Sequence, residues 1–550
     1  MKRRKIIVVG GVAGGASCAA RLRRQDEFAE ILMYERGPYV SFANCGLPYY
    51  IGGVIEQERD LLVADVELFQ QRFNINALIN HQVVSIDRSQ RCVEVLNTAN
   101  GNRHSESYDS LVLSPGARPI RPPLPGIDLP GIFSLRTVPD SRTIKEWIES
   151  RQVRHALVVG GGFIGLEMVE NLRHLGIEVS LVERDSQLMA SLDAEMTSPL
   201  LERLRQHEVE LILADSVSRF EQTERLQVHT AKGRQIATDM VILAIGVEPE
   251  SELARQAGLE LGPRGHILVD KNMRTSDRHI YAVGDVVELR HAVTGQRTAV
   301  PLAGPANRQG RIAADVICGK GRHFRGVQGT SVCGLFGMTL AATGVNEKAL
   351  QASGLDYGVV YAHPNHHVGY YPGAKPIFTK LLFDKTDGRL LGAQAVGEEG
   401  VERRIDVIAM AIQMGGSVFD LEEAELCYAP QYGAAKDPVN MVGMIAANQM
   451  RGDLFITPWK DLHKDNALVL DVRDADEVSC DPIPGELHIP VNELRARLHE
   501  LPKDRSIHVC CAVGARAYTA VRLLMQHGFD ASLMSGGANT WFCVQNNLDH

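Results

Sequence analysis

The chain reads as an α/β protein of several domains: two Rossmann-like units, an α+β domain, and a separate α/β domain at its C-terminal end. Three observations predict this. The pattern strand, glycine turn, helix, strand occurs twice, in KIIVVGGVAGGASCAARLRR (5–24) with EILMYER (30–36), and in HALVVGGGFIGLEMVENLRHLG (155–176) with EVSLVER (178–184). The length, 550 residues, suggests several domains rather than one core. The charged and polar stretch NQMRGDLFITPWKDLHKD precedes a fresh strand-like start, ALVLDVRDADEV.

Taken in order, each repeated unit closes its second strand on an acid, Glu35 or Glu183. A third fragment, HIYAVGDVVE (279–288), is an apolar strand ending in Gly284-Asp285. That order predicts a second unit inserted into the first domain, with residues 1–118 and 249–325 forming one domain and 119–248 the other. From 326 to 448, the strand-like runs PIFTKLLFD and RLLGAQAVG alternate with the apolar-faced helix RRIDVIAMAIQMG. Residues 449–466 read as a linker, and 467–550 as the terminal domain.

Apolar residues make up 45 % and charged residues 23 %, the balance of a soluble globular protein. The net charge of −9 argues against a general nucleic-acid binder and requires any anionic ligand to meet a local cationic patch. Ten cysteines include no C-x-x-C pair, and their one close pair is Cys510-Cys511. This usage points to reduced thiols in the cytoplasm. The start MKRRK-IIVVGGVAGGASC imitates a signal peptide, but IIVV is short and breaks into glycines, which suits a strand and a tight turn. No apolar run has the length of a membrane span.

A helix N-terminus offers free backbone N–H groups and the positive end of a dipole, so it binds pyrophosphate. Gly160, Gly162 and Gly165, with Phe163 and Ile164 between them, complete G-x-G-x-x-G. The first turn has Gly10, Val12, Ala13, Gly14 and Gly15, so its middle glycine is replaced. One such motif is as readily an ordinary strand–helix turn. Two copies, each with an acid about twenty residues on, indicate two dinucleotide sites.

With these turns, SFANCGLPYYIGG (41–53) and YAVGD, the first 450 positions resemble the FAD-dependent pyridine nucleotide-disulfide oxidoreductases. The SFANCGLPYY block is similar to that of the coenzyme A-disulfide reductases and their rhodanese-fused relatives, which include NADH-dependent persulfide reductases. The resemblance implies FAD on Gly10, Val12, Ala13, Gly14, Gly15, Glu35 and Arg36, with Gly284 and Asp285 on the ribityl side and Pro301, Leu302 and Ala303 from a later segment. It implies NADH on Gly160, Gly162, Phe163, Ile164, Gly165, Glu183 and Gly246. A carboxylate at Glu183 accepts from a ribose 2′-OH and repels a 2′-phosphate, which favours NADH. The adjacent Arg184 leaves NADPH open.

The flavoenzymes that reduce disulfides usually carry C-x4-C around this point. Here the flanking positions are Val40 and Tyr50, so Cys45 has no such partner. A single thiol beside a flavin either becomes a sulfenic acid, as in NADH oxidases and peroxidases of the superfamily, or forms a mixed disulfide with a small thiol. Peroxidase-type relatives place a histidine in the first glycine turn. Ala13 stands there, which favours the mixed disulfide. A helix start after Cys45, with Pro48 in its first turn, is expected to lower the thiol pKa.

The resemblance places Ser17, Arg21, Arg24, Ser41 and Asn44 along a coenzyme A path, joined by Arg308 and Lys436. Taken alone, Arg21 and Arg24 are equally a solvated helix face. Coenzyme A-disulfide reductases can carry a lysine in the segment reading ELFQQRFN here, where this chain has Phe73 beside Arg72. HHVGYYPGA and LCYAPQY match segments that supply tyrosine hydroxyls from a partner subunit. They single out Tyr370 and Tyr428, with Tyr371 as the alternative to the first, and imply a homodimer formed through 326–448. Packed tyrosines with satisfied hydroxyls are the competing reading.

ALVLDVRDADEV, PGELHIPVNEL, IHVCCAVGARAY and LMSGGANTW, in that order, resemble a single rhodanese domain. Its centre is Cys511-Ala512-Val513-Gly514-Ala515-Arg516, a loop closing on a helix start, which makes an anion nest around a thiolate or persulfide at Cys511. The C-x4-R spacing is one residue shorter than the C-x5-R of related phosphatases and suits a sulfane sulfur. Cys510 reads as the buried end of a strand.

The expected function is NADH-dependent, FAD-mediated reduction of sulfur–sulfur bonds in coenzyme A persulfide, polysulfide, sulfur or coenzyme A disulfide. Cys45 is the redox thiol, and Cys511 with Arg516 supplies sulfane sulfur. The alternatives are an NADH oxidase or peroxidase with a Cys45 sulfenic acid, and a redox-sensing flavoprotein.

Overall fold

The apolar runs IIVV and ALVV lie at the middle of two parallel sheets in the computed structural model, which describes residues 3–463 and 466–548. Residues 464 and 465 of the expected linker lie outside the described residues, as do the chain's first two and last two. The chain divides into two units, Met1–Leu188 with His207–Val327 and Met189–Gln206 with Gln328–His550.

In the first unit, Lys5–Val9 is third in a five-stranded parallel sheet of order Ile280–Ala282, Ser110–Leu113, Lys5–Val9, Glu30–Tyr34, Asn76–Leu78. His155–Val159 holds the same place in the order Glu210–Ile212, Glu178–Val182, His155–Val159, Met240–Leu243, Ile132–Phe133. Such strands are buried on both faces and therefore read as unbroken apolar runs. Each half also carries a three-stranded antiparallel sheet, 81–107 in the first and 217–238 in the second. Ile280 pairs with Leu111 and Ala282 with Leu113, so the fragment HIYAVGDVVE completes the first sheet after the second has formed. The chain leaves and returns through Ala117–Pro119 and Val247–Pro249, which pair antiparallel.

The second unit holds an antiparallel sheet of order Ser331–Leu335, Met338–Gly344, Leu390–Gly397, Ile377–Asp384, Tyr357–Ala362. The helix Val401–Met414 buries Val401, Ile405, Ile408 and Ile412, while Met410 and Met414 stay exposed. Residues 189–206, expected inside the NADH domain, belong to this second unit. The buried Lys380 Nζ donates to Asp193 Oδ2 and Glu347 Oε2, each at 2.7 Å, and to Glu195. A buried ammonium is tolerable only with its carboxylates in place, and these bonds hold the helix Ala194–Gln206 to the sheet.

The terminal domain is a five-stranded parallel sheet of order Ile456–Thr457, Ala531–Met534, Ile507–Cys510, Leu468–Asp471, Glu486–His488. Its first strand lies inside the segment expected to be a linker. Leu454 and Leu462, from the same segment, are each 1 % exposed and enter cores of this domain. Ile445 of the helix Pro438–Met450 packs on the cluster that holds Leu454. A few anchored apolar side chains outweigh the polar average of 449–466. Among the described residues, no helix is long and apolar enough to cross a membrane.

Candidate active site

The two glycine turns share one geometry. Gly10 has φ +92°, and a Cβ there would lie 2.1 Å from the Ser114 carbonyl oxygen. At Gly15 a Cβ would lie 1.9 Å from Gly10 O. Gly160 (φ +107°) and Gly165 repeat this against Ala244 O and Gly160 O, at 2.4 and 1.9 Å. The Gly11 N–H donates to Glu35 Oε2 at 2.9 Å, and the Gly161 N–H to Glu183 Oε2 at 2.7 Å. The second oxygens accept from Gly37 N and Asp185 N, each at 2.9 Å. Each acid is thus fixed beside its turn with lone pairs to spare for ribose hydroxyls. Gly11 and Gly161, which the motif leaves as variable positions, supply the backbone donors that do this.

The helices Ala13–Gln25 and Phe163–His174 begin at Val12 and Gly162 with no side chain capping their first N–H groups. A Cβ on Gly162 would meet nothing within 4 Å. Uncapped donors at a helix start that opens to free space at Gly162 fit the phosphates of a dinucleotide. Gly14 and Gly284 converge on Ser114, whose Oγ would lie 2.9 and 3.6 Å from their added Cβ atoms. Gly284 N donates to Gln309 Oε1 at 2.7 Å. Burial raises the Asp285 carboxyl above its ordinary range, opposed by the charge of Arg136. The helix Ala303–Ile317 also starts without a side-chain cap, after Leu302. Gly246 has φ +111°. Arg36 donates to Glu250 at 2.7 Å, and Arg184 pairs with Asp185 at 3.4 Å.

Cys45 sits in the short turn Asn44–Gly46, ahead of the five-residue helix Leu47–Ile51 with Pro48 in its first turn. The loop passes over the first glycine turn: Ser41, at φ +48°, donates its N–H to Gly11 O at 2.7 Å. Cys45 is exposed as a residue. Even so, burial of its thiol, followed by the charges of Glu167 and Asp285, raises the pKa above that of an ordinary cysteine. The expected lowering by the following helix is therefore outweighed. A backbone N–H does stabilise the thiolate, but two carboxylates oppose it. Glu167, in the helix Phe163–His174, is itself pushed up to about 7, by burial and then by Glu170. The motif GFIGLEM gives no spacing signal for that role.

Along the expected coenzyme A path, Arg21 forks onto the buried Asp315 at 2.8 and 3.2 Å, so its charge is already met. Ser17 hydrogen-bonds Asn307. Arg24 lies 5.2 Å from the centroid of Phe73, a cation–π contact. Arg308 stacks 5.4 Å from Phe324, and burial and then Arg325 lower its pKa. Asn44 and, in the second unit, Lys436 are exposed.

In the second unit the Tyr370 and Tyr428 hydroxyls lie 2.8 Å apart, on side chains left open to solvent. Tyr371 instead packs edge-on to His367, with ring centroids 5.4 Å apart. The two tyrosine segments are tied together by Arg404, only 2 % exposed, which donates to His366 O at 2.6 Å and Asp437 Oδ2 at 3.0 Å.

In the terminal domain, Cys511 follows the strand Ile507–Cys510. Its Sγ accepts from Gly514 N at 3.1 Å and Ala517 N at 3.3 Å, where the helix Ala515–Gln526 begins. Backbone N–H groups aimed at a sulfur stabilise an anion there. Cys510 is buried, and burial followed by the Asp471 charge raises its thiol well above the ordinary range. Arg516, at the end of the loop, is paired with carboxylates. It forks onto Glu477 at 2.5 and 2.7 Å and reaches Asp474 at 2.9 Å, and its hydrogen bond holds the Glu477 carboxyl at about 2.

Residues 4–310 match the family of pyridine nucleotide-disulphide oxidoreductases, 330–437 the dimerisation domain of the same proteins, and 459–542 the rhodanese-like domains. The coenzyme A disulfide reductase of Staphylococcus epidermidis is 36 % identical over 440 residues, 80 % of this chain and 99 % of that protein. The crystal structure of reduced Bacillus anthracis CoADR-RHD superposes with TM-score 0.98 at 48 % identity, covering 99 % of each chain. A NAD-dependent persulfide reductase from A. fulgidus superposes with TM-score 0.91 at 38 % identity, covering 98 % of this chain and 100 % of that one.

Proposed function

The chain belongs to the pyridine nucleotide-disulphide oxidoreductase family, and on that premise we propose that it reduces sulfur–sulfur bonds with NADH, through FAD and the single thiol of Cys45. The observation that carries this is Cys45 on the loop over the first glycine turn, with Val40 and Tyr50 at the C-x4-C positions.

FAD, when bound, accepts the hydride of NADH and returns its electron pair to a sulfur–sulfur bond at Cys45. Glu35 and Glu183 orient the ribose ends of the two dinucleotides, and the uncapped helix starts after Val12 and Gly162 receive their phosphates. The Cys45 thiolate attacks the outer sulfur of coenzyme A persulfide, forming a persulfide on Cys45 and releasing the coenzyme A thiolate. Two electrons and a proton then free sulfide and restore Cys45. With coenzyme A disulfide, the same attack leaves a mixed disulfide, and the electron pair releases the second thiol. Glu167, poised near neutrality, and the hydroxyl pair Tyr370–Tyr428 supply protons to departing thiolates.

The tyrosine pair is exposed and belongs to the dimerisation domain. We therefore assign it to the Cys45 site of the partner in a homodimer, with the exposed Met410 and Met414 in the contact. Ten free thiols suit a reducing cytoplasm. Cys511 in its ring of N–H groups carries sulfane sulfur to coenzyme A. Arg516, anchored on Glu477 and Asp474, closes that ring and balances the charge of the sulfur on Cys511.

The test is Cys45→Ser. FAD is retained, while NADH-dependent reduction of coenzyme A disulfide and persulfide is lost. Near wild-type turnover of both substrates would falsify the mechanism, and oxygen or peroxide turnover faster than either would move the reading to an oxidase.

A further inference from the structure

The Cys511 loop is held from beneath by the start of the helix Gly537–Leu548. Ala538 N donates to Cys511 O at 2.8 Å and Asn539 N to Ala512 O at 3.0 Å. Two consecutive left-handed residues permit this approach. Gly536 has φ +78° and Gly537 φ +65°, and a Cβ on Gly537 would lie 2.4 Å from Ala512 O and 2.6 Å from Cys511 O. The turn that aims the helix at the loop is therefore buried and packed tightly against the loop carbonyls, with no room for a side chain at either glycine.

That turn is met by a residue of another domain. His363 follows the strand Tyr357–Ala362 of the dimerisation domain. Its ring stacks on Phe378 with centroids 4.5 Å apart and planes within 15°. Its Nε2 lies 3.1 Å from Gly536 O and 2.9 Å from Thr540 Oγ1. Thr540, fully buried, donates to the same carbonyl at 2.9 Å. Burial lowers the His363 pKa to about 4, so the ring is neutral at working pH. An Nε2 facing a carbonyl oxygen then carries the proton and donates it. Phe378 lies in the strand Ile377–Asp384, whose Lys380 is locked by the carboxylates of Asp193, Glu195 and Glu347. The histidine thus stands on a rigid base.

We propose that His363 is a positioning residue for sulfur transfer: by fixing Gly536 and Thr540, it sets the Cys511 loop in the geometry that loads and releases sulfane sulfur. The dimerisation domain thereby supplies part of the sulfur-carrying site. The inference rests on the reading of Cys511 as the sulfur carrier.

Two rates separate this role from general damage: transfer of sulfur from polysulfide to coenzyme A, and NADH oxidation with preformed coenzyme A persulfide, which needs Cys45 alone. In FAD-loaded His363→Ala, transfer falls about tenfold, the scale of a misplaced reacting group. Reduction of the preformed persulfide stays within about twofold of wild type, the spread of a change away from that site. Iodoacetamide alkylation of Cys511, followed by peptide mass, changes rate in the same variant relative to that of the equally buried Cys510, whereas a general loss of stability would move both thiols together. His363→Gln, which keeps an N–H donor, recovers much of the transfer. If His363→Ala loses FAD or its dimer, Thr540→Val removes only the hydroxyl and carries the same comparison. Wild-type transfer and wild-type alkylation in whichever variant folds overturn the proposal. Wild-type transfer in Cys511→Ala would instead refute the sulfur reading, leaving the alkylation rate to decide the positioning role.

Discussion

The hydroxyl of Tyr370 lies 2.8 Å from the hydroxyl of Tyr428, although fifty-eight positions separate them in the chain. One hydroxyl donates and the other accepts, so the pair leaves one proton to offer outward. Tyr370→Phe and Tyr428→Phe are each expected to lower kcat for coenzyme A disulfide by about tenfold, the low end of general-acid effects. The double variant should cost little more than either single one, because the pair acts as a unit. Tyr371→Phe should stay near wild type. Additive losses in a steady-state double-mutant cycle would show two independent residues.

Glu167 gives a pH signature. Its folded-state pKa is about 7, against an ordinary 4.5. Between those values the native state binds the extra proton, so this group lowers stability as pH rises from 4.5 to 7. Glu167→Gln should flatten that slope and raise Tm more at pH 8 than at pH 5, read by thermal melts of the FAD-loaded enzyme. The same variant should lose the limb of the kcat profile centred near pH 7. A Tm gain equal at both pH values would place the Glu167 pKa elsewhere.

Glu183 is fixed by Gly161 N and Asp185 N, which leaves it lone pairs for the ribose hydroxyls we assign to it. Glu183→Ala should lower kcat/KM for NADH by about tenfold or more, the loss of a charged hydrogen bond. NADPH should lose much less. An unchanged NADH-to-NADPH ratio in initial rates would show that Arg184 sets the choice.

Arg21 is occupied by Asp315, whereas Arg24, on Phe73, is exposed and is one of the cations we assign to the coenzyme A phosphates. Arg24→Ala should raise KM for coenzyme A disulfide by about fivefold, the worth of an exposed charge contact of roughly 1 kcal/mol. Pantethine, which lacks the nucleotide phosphates, should be reduced as by wild type. An equal change for both disulfides would place the coenzyme A phosphates away from Arg24.

Much of this architecture was legible because it is written in local rules. IIVV and ALVV are apolar enough to be strands covered on both faces. Gly10 and Gly160 end their strands at φ +92° and +107°, a local backbone demand that glycine meets without strain. Glu35 and Glu183 stand at the ends of the strands that follow. The block around Cys45 declared a single thiol by the identities of Val40 and Tyr50 alone. Composition misread 449–466, since Leu454, Ile456 and Leu462 are few among polar neighbours, yet each is anchored in the terminal domain. Residues 189–206, expected in the NADH domain because they follow the strand Glu178–Val182, group with the second unit, where Lys380, nearly two hundred positions away, holds them.

The sequence by itself determined the elements, the two dinucleotide turns, the lone Cys45 and the C-x4-R loop of Cys511, because each depends on residues within a few turns of one another. Only the tertiary structure decided which groups share a proton or a charge. It paired Tyr370 rather than Tyr371 with Tyr428, met Arg21 with Asp315, turned Arg516 onto Glu477, raised Glu167 toward neutrality and set His363 under the Cys511 loop. Charge, burial and hydrogen bonding depend on distances across the fold, and no spacing along a chain encodes them.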